Sequence, residues 1–202
     1  MTKHNLGTDP YKGVRDFYPE DMAVQRYIFD NWAKTAESFG FERYDASVLE
    51  PSDLYKSKGA ENEEMVNEQT YTFIDRGDRE VTLRPEMTPT LARMIAAKQR
   101  EIPLPARWYT IANVFRYERP QKGRLREHWQ LNADIFGVEG IEAEAEIIAL
   151  AHHIMTDLGA HEHELIFGEH RRHFLEALFL GVREGFAEAL DQRLVVELVV
   201  VQ

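Results

Sequence analysis

The sequence predicts an α+β domain in which antiparallel hairpins are interleaved with amphipathic helices, and not a doubly wound parallel sheet. Two observations support this fold class. Apolar residues recur at helical spacing in several separate segments, and β-rich segments flank short turns. The chain has 202 residues, of which 44% are hydrophobic and 29% charged, which suits one globular domain or part of a larger one.

The first helix is predicted to begin in the segment DFYPED. Pro19 suits the first turn of a helix, and Glu20 and Asp21 suit the positive end of the helix dipole. A stripe at helical spacing, with one polar member, then runs as far as Gly40, and its members are Met22, Gln25, Ile28, Phe29, Trp32, Ala36 and Phe39. The following segment, FERYDASVLEP, is predicted to be extended and to end at Pro51, because proline cannot sustain a central strand.

A hairpin and a short helix are predicted next. The segment TYTFIDRGDREVTLRP has two β-rich arms around a turn at Arg76-Gly77-Asp78, and Pro85 closes the second arm. The segment EMTPTLARMIAAKQ predicts a helix in which Thr88 is the N-cap residue before Pro89.

A second hairpin has longer arms and a basic loop, from about Arg119 to Arg126. Between Arg107 and Arg126 there are six basic residues and one acid, although the formal net charge of the chain is −11. Such a chain repels polyanions over most of its surface, so an anion site must be a local positive region. The planar guanidinium group of arginine can donate paired hydrogen bonds to phosphate oxygens, and Gly123 would let the loop close over a ligand. The alternative is a solvated turn whose arginines pair with surface acids.

The arms of this hairpin place polar side chains together. Because side chains alternate along a strand, Arg116 and Glu118 are expected to point the same way, and Gln130, Asn132 and Asp134 are expected to share a face. A sheet face with a cation, carboxylates and amides is a poor core. It suits a zwitterion held beside a polyphosphate.

Two further helices and a terminal strand complete the prediction. The earlier of these two helices has an apolar stripe that ends at Gly159, and the later one has a stripe from Leu175 to Leu190. The tail LVVELVVVQ predicts a strand that needs a neighbouring strand.

Several kinds of site and location are excluded or not expected. Without cysteine there can be no disulfide, thiolate metal site or cysteine nucleophile. A metal site is not expected at the histidines, because zinc usually takes four ligands at closed spacing; these histidines are His161, His163, His170 and His173. No run of about 18 apolar residues is present, and the N-terminal segment has no apolar core of the signal-peptide type, so a cytoplasmic protein without membrane association is expected.

The segment FRYERPQKGRLREHWQLNADIFG resembles motif 2 of class II aminoacyl-tRNA synthetases in its histidyl-tRNA synthetase form. Three other segments resemble that family in the same order: KGVRDFYPED, the helix and strand ending at Pro51 (motif 1), and TYTFIDRGDREVTLRPEMTPTLARMIA. The resemblance covers about residues 10–160. It implies a class II antiparallel sheet flanked by helices, incomplete at its C-terminal end. Residues 1–202 would be a partial catalytic domain in which 161–202 form a divergent helix and strand, with a homodimer through motif 1.

The resemblance also implies roles for individual residues. Glu86, Met87 and Thr88 would contact the substrate histidine, and Gln130 and Asp134 would hold it as well. Asp134 stands where many relatives are expected to carry a glutamate, and its reach is shorter. Arg116 would be catalytic, since it would touch both the substrate carboxylate and the α-phosphate of ATP.

The remaining implied residues bind ATP. Glu118 would help to position the nucleotide, and Arg124 would reach the outer phosphates. His128 stands where the family often has the phenylalanine that stacks on adenine, and Trp129 follows it, so the identity of the stacking partner stays open.

The implied function is that of a histidine–tRNA ligase, which activates L-histidine with ATP and Mg²⁺ and transfers it to tRNA(His) for protein synthesis. Two later arginine elements of the family and its anticodon-binding domain have no counterpart here, so the isolated chain is expected to bind ATP or histidine weakly and to activate histidine slowly or not at all. Direct recognition of tRNA by this chain alone is not expected at a net charge of −11.

Two alternatives remain open. One is a non-catalytic paralogue, such as the histidine-sensing regulatory subunit of ATP phosphoribosyltransferase, which would not need the phosphate-binding residues Arg116, Glu118, Arg119 and Arg124. The other is a fragment that serves dimerisation and is active only together with the rest of a longer chain.

Overall fold

A computed structural model describes residues 7–56, 69–119 and 124–160, together with the backbone of 194–199. The elements follow in the order α1 (Pro19–Ser38), β1 (Glu42–Arg43), β2 (Leu49–Pro51), α2 (Asp53–Lys56), β3 (Tyr71–Ile74), β4 (Glu80–Leu83), α3 (Thr88–Lys98), β5 (Ala106–Phe115), β6 (Glu127–Phe136), α4 (Ile141–Asp157) and β7 (Leu194–Val199). The predicted α+β class is confirmed.

The described strands form two sheets. One has the order β1-β5-β6-β7, and the other has the order β2-β4-β3. All pairings are antiparallel except that of β1 with β5, which is parallel. The predicted antiparallel sheet therefore carries one parallel edge strand, and the tail strand β7 finds its neighbour in β6.

The predicted boundaries of α1 agree with the structure. Pro19 is its first residue, and the backbone N–H of Tyr18 donates to Oδ2 of Asp21 at 3.2 Å. Gly40 has φ +80°, a left-handed conformation that glycine adopts without strain just after a helix. The first of the two later helices, α4, likewise ends before Gly159, while the second predicted helix, Leu175 to Leu190, lies outside the described residues.

The prediction that Thr88 is the N-cap of α3 is wrong. The N-cap residue is Met87, whose carbonyl accepts the hydrogen bond from Leu91 N–H at 2.9 Å, and Thr88 is already helical. Proline is accepted at the second helical position as well as the first, so Pro89 did not define the start of the helix.

The first hairpin forms as predicted, with β3 and β4 on either side of the turn. Asp78 has φ +57° in that turn, a conformation that aspartate tolerates better than most residues. Pro51 lies in β2, which is an edge strand of the smaller sheet, so no central ladder loses a hydrogen bond.

The main core lies on one face of the β5–β6 hairpin. Helices α1 and α4 cover this face, and the buried residues include Trp32, Ile111, Leu131 and Ile147. On the opposite face, at the open end of the hairpin, α3 packs Leu91 and Ile95 against Ala106 and Phe136. Each leucine, isoleucine or phenylalanine among them contributes about 1.5–3 kcal/mol when fully buried. The hairpin is thus packed on both faces. The part of the α3-side face that α3 does not cover remains for polar groups. Among the described residues, no helix combines the length and hydropathy that crossing a bilayer requires.

Candidate active site

The register of β5 with β6 gathers polar side chains on the face opposite the α1–α4 core. Ala112 pairs with Gln130, Thr110 with Asn132, and Trp108 with Asp134. Residues directly opposite in an antiparallel pair point to the same side of the sheet. Gln130, Asn132 and Asp134 therefore form one row, which we call the polar row.

The polar row is buried. Gln130 and Asp134 are 0% exposed, and Gln130 Nε2 donates to Asn132 Oδ1 at 2.9 Å. Oγ1 of Thr110 is also buried and has no hydrogen-bond partner among the described residues, while buried Oε1 of Gln130 has the imidazole of His128 as its neighbour. Leaving a buried polar atom unpaired costs about 1–3 kcal/mol. A ligand that brings N–H or O–H donors would remove that cost.

The segment that contains Glu86 is tied to the end of β5. Phe115 N–H donates to the carbonyl of Arg84 at 2.9 Å, and Nε of Arg116 donates to the carbonyl of Pro85 at 3.1 Å. Glu86 and Thr88 are partly exposed, whereas Met87 is fully buried and takes part in the core. The backbone at Arg84 and Pro85, just before Glu86, is therefore fixed to the end of β5 and to Arg116.

Arg84 is the buried anchor of this junction, and the sequence interpretation missed it. Its guanidinium donates to the backbone and side-chain oxygens of Asn113 at 2.8 and 3.0 Å, to Asp45 Oδ1 at 2.9 Å and to the carbonyl of Ala46 at 3.0 Å. Only 3% of its side chain is exposed. An arginine at the end of a strand is usually solvated, so the sequence carried no clear signal for this role.

The phosphate side of the predicted site is arranged around an ion pair. Arg124 donates through Nε and Nη2 to the two carboxylate oxygens of Glu118, with 2.9 Å between Nη2 and Oε1. The side chain of Glu118 is only 10% exposed and that of Arg124 is 56% exposed. This hydrogen bonding raises the pKa of Arg124. The pair offers a guanidinium edge to an incoming phosphate while Glu118 keeps the arginine in place.

Some of the predicted loop lies outside the described residues. This applies to Lys122 and Gly123, and the histidines considered for a metal site are outside as well. Within residues 7–56, 69–119 and 124–160, no group of three or more histidine, aspartate or glutamate side chains could hold a metal ion.

His128 lies next to the polar row, opposite Val114 in the register. Burial of the imidazole lowers its pKa, and the positive charge of Arg116 lowers it further. The lowered pKa favours the neutral form of the ring, and a neutral imidazole suits stacking on a base better than pairing with phosphate.

The stability of the chain is expected to depend on the protonation of His128. Because its pKa is lowered on folding, the unfolded chain binds the proton more tightly, and stability falls as the pH drops below about 6.5. Replacing His128 with glutamine should flatten this fall between about pH 7.5 and 5. Urea unfolding at each pH measures the effect, with exposed His152→Gln as the control. An unchanged pH dependence in H128Q would contradict the prediction.

A groove of about 380 Å³ lies elsewhere, between the end of α3, β1 and the start of β5. It is lined by residues of both charges, including Glu42, Lys98, Glu101 and Arg107. It contains none of the predicted site residues, so the groove and the candidate site are separate features.

Comparison with known proteins adds the following findings. Residues 13–198 match the family model described as histidyl-tRNA synthetase. Over 160 residues the chain is 54% identical to a histidine–tRNA ligase of Leptospira biflexa, covering 79% of this chain and 36% of that protein. Over 148 residues it is 54% identical to a histidine–tRNA ligase of Thermoplasma volcanium, covering 73% and 34%. The chain thus spans about a third of the length of these relatives.

Solved structures show the same fold. Apo histidyl-tRNA synthetase of S. aureus superposes with a TM-score of 0.63 at 27% identity, over 76% of this chain and 35% of that one. A Bacillus halodurans protein, described as an ATP phosphoribosyltransferase regulatory subunit/histidyl-tRNA synthetase, superposes with a TM-score of 0.66 over 76% of this chain and 39% of that one. Its 24% identity supports the fold alone.

Proposed function

Because this chain belongs to the histidyl-tRNA synthetase family, we propose that it carries the part of a ligase active site that binds L-histidine and ATP and forms histidyl-adenylate. In this proposal, residues 1–202 are a partial class II catalytic domain. The chain spans about a third of its relatives' length, so transfer to tRNA(His) is proposed only for a protein that also has the rest of the family's sequence.

The observation that carries the proposal is the buried polar row on one face of the β5–β6 hairpin, with Arg116 directly after β5 at the loop end of the same hairpin. The buried acceptors of Gln130 and Thr110 match the N–H donors of a histidine ligand. Asp134 adds a carboxylate to the same face, as an acceptor for the imidazole. Glu86 and Thr88 supply a carboxylate and a hydroxyl for the substrate ammonium.

The reaction that fits this arrangement is attack of the histidine carboxylate on the α-phosphorus of ATP. A new oxygen–phosphorus bond forms, the bond to the β-phosphate oxygen breaks, and pyrophosphate leaves. No protein side chain has to become covalently attached. Arg116 would touch the carboxylate and the α-phosphate, and Arg124 would meet the outer phosphates, so that catalysis rests on positioning and on charge stabilisation.

The residues present also fit an Mg²⁺ ion that arrives with ATP. Magnesium usually keeps several waters and takes one or two protein carboxylates together with substrate phosphates, so it needs no cage of three protein ligands. Glu118 is the carboxylate on the phosphate side; both of its oxygens accept from Arg124, and their remaining lone pairs would face the ion or one of its waters. When bound, the ion would neutralise phosphate charge, and Glu118 would help to position the nucleotide.

The alternative is a histidine sensor without nucleotide chemistry, like a regulatory subunit of ATP phosphoribosyltransferase. A sensor would need the polar row but not the pair between Glu118 and Arg124. Because this chain keeps both features, we favour the ligase function.

Titration calorimetry tests the two functions against each other. The chain should bind both L-histidine and ATP–Mg²⁺, each more weakly than a full-length family member does. Binding of histidine without any binding of ATP would favour the sensor, and binding of neither would contradict both. Histidine-dependent ATP–pyrophosphate exchange at a rate near that of the full-length ligase would refute the expectation that this chain alone is slow.

We also propose that the chain forms a homodimer through motif 1 and works in the cytoplasm, where protein synthesis uses aminoacyl-tRNA. Apolar side chains are exposed along α1, including Val24 at 61% and Tyr27 at 57%, and on the smaller sheet at Leu49 and Phe73. A second copy could cover such a surface. Sedimentation equilibrium distinguishes a dimer from the monomer that would contradict this part of the proposal.

A further inference from the structure

Arg126 is a buried arginine that the proposed reaction does not use directly. It lies at the base of the basic loop and is only 7% exposed, although the loop residue Arg124 is exposed. Burying a guanidinium is costly unless its donors are satisfied, so its partners indicate what it holds together.

The partners of Arg126 come from parts of the chain that are far apart in sequence, and Tyr71 of β3 interacts with it as well. Nε donates to the carbonyl of Glu118 at 3.1 Å, while Nη1 donates to Oη of Tyr11 and to the carbonyl of Lys12, both at 3.2 Å. The backbone N–H of Arg126 donates to the carbonyl of Gly13 at 2.7 Å. One residue thus joins the segment Tyr11–Gly13 to the strand end that carries Glu118.

Aromatic rings and a turn shape this junction. Cζ of Arg126 lies 4.0 Å from the ring centroid of Tyr117 and 5.7 Å from that of Tyr11. Val14 N–H donates to the carbonyl of Tyr11 at 3.1 Å, and Gly13 has φ +89° inside the turn that this bond closes. Positive φ at the third residue of such a turn is what glycine adopts without strain. The turn and the ring contacts therefore give the N-terminal segment a defined conformation that presents its acceptors to Arg126.

The same junction leads to the nucleotide side of the site. Arg126 holds the backbone of Glu118, and the carboxylate of Glu118 holds Arg124. In addition, Arg116 N–H donates to the carbonyl of Arg126 at 2.9 Å. The chain of contacts runs from Tyr11–Gly13 through Arg126 to Glu118 and Arg124, and it does not pass through Gln130 or the polar row.

We propose that Arg126 is a positioning residue that clamps the N-terminal segment Tyr11–Gly13 to Glu118 and so presets Glu118 and Arg124 for the phosphates of ATP. The N-terminal segment is then part of the nucleotide site although it touches no ligand. The clamp itself stands on contacts within the chain, and only its effect on ATP rests on the proposed function.

The test compares Arg126→Lys with Gly13→Ala, which disturb the clamp from its two sides. Lysine keeps the positive charge but has one nitrogen in place of the fork, so it cannot serve Glu118 and Lys12 together. Alanine at position 13 strains the turn because of the positive φ. In both variants, hydrogen exchange should rise together at the amides of Val14 and Glu118. The dissociation constant of ATP–Mg²⁺ should increase ~10-fold, which equals about 1.4 kcal/mol, because Glu118 and Arg124 lose their preset positions.

Histidine binding separates a positioning role from a merely structural one. A general structural defect would weaken the binding of histidine as well as that of ATP. The dissociation constant of L-histidine should stay within ~2-fold in both variants, because the backbone hydrogen bond from Arg116 N–H to the Arg126 carbonyl does not depend on either exchanged side chain. The matched control is Arg79→Lys, an exposed arginine paired with Asp75 in the first hairpin, which should change none of these quantities. Thermal unfolding confirms that each variant is folded at the temperature of the experiment.

The outcomes are separable. A rise in exchange at Glu118 without one at Val14, or an equal loss of ATP and histidine binding, would overturn the clamp. If the unmodified chain binds no ATP, the proposed function fails, and the exchange measurement alone then decides whether the clamp exists. Coupled exchange in both variants supports it, and uncoupled exchange overturns it.

Discussion

Replacing Arg116 with glutamine is expected to slow histidine-dependent adenylate formation by ~10²-fold or more, the usual cost of losing a group that stabilises transition-state charge. Arg116 follows β5 directly, and its Nε is held by the carbonyl of Pro85 at 3.1 Å. In the proposed reaction its guanidinium meets negative charge as it develops at the α-phosphate. Glutamine keeps a polar side chain but supplies no positive charge.

The measurement should be made under single-turnover conditions with the chain in excess of ATP, because the isolated chain is expected to be slow. Arg76→Gln, in the exposed turn of the first hairpin, is the control and should leave the rate unchanged. A rate for Arg116→Gln within about threefold of that of the unmodified chain would contradict the catalytic role of Arg116 and weaken the whole proposed mechanism, since threefold is only ~0.7 kcal/mol in barrier height.

The largest effect on folding is expected for Arg84→Met, which should lower the free energy of unfolding by about 2–4 kcal/mol. Methionine can fill much of the space of the aliphatic stem, but it leaves the carbonyls of Asn113 and Ala46 without their donor. The ion pair with Asp45 contributes little to this figure, because 59% of the aspartate side chain is exposed.

Urea unfolding followed by circular dichroism measures this change, and Arg79→Met is the matched control. The side chain of Arg79 is 78% exposed, so its replacement should alter stability by no more than about 0.5 kcal/mol. Arg84→Lys should fall between the two, since lysine keeps the charge without the planar fork. Equal stabilities of the Arg84 and Arg79 variants would show that the junction between Arg84 and Asn113 is not an anchor.

The sequence alone was enough for the elements whose signals are local. The start of α1 at Pro19 and its end before Gly40 follow from proline, acidic residues and glycine acting within a few residues of each other. The two hairpins follow in the same way from their β-rich arms, the first around a short turn and the second around the basic loop. Alternation along β6 likewise predicted that Gln130, Asn132 and Asp134 share a face, since that depends only on strand geometry.

Tertiary structure alone decided how these pieces meet. The burial of Arg84 and Arg126 depends on Asn113 and on Tyr11, which are 29 and 115 positions away from them in the chain. The parallel pairing of β1 with β5 also depends on packing between distant segments. Spacing along a sequence records which face a side chain takes, but it does not record which distant oxygen a guanidinium will meet. That choice is made only when the segments pack, because a buried charge is stable only where all its donors find partners.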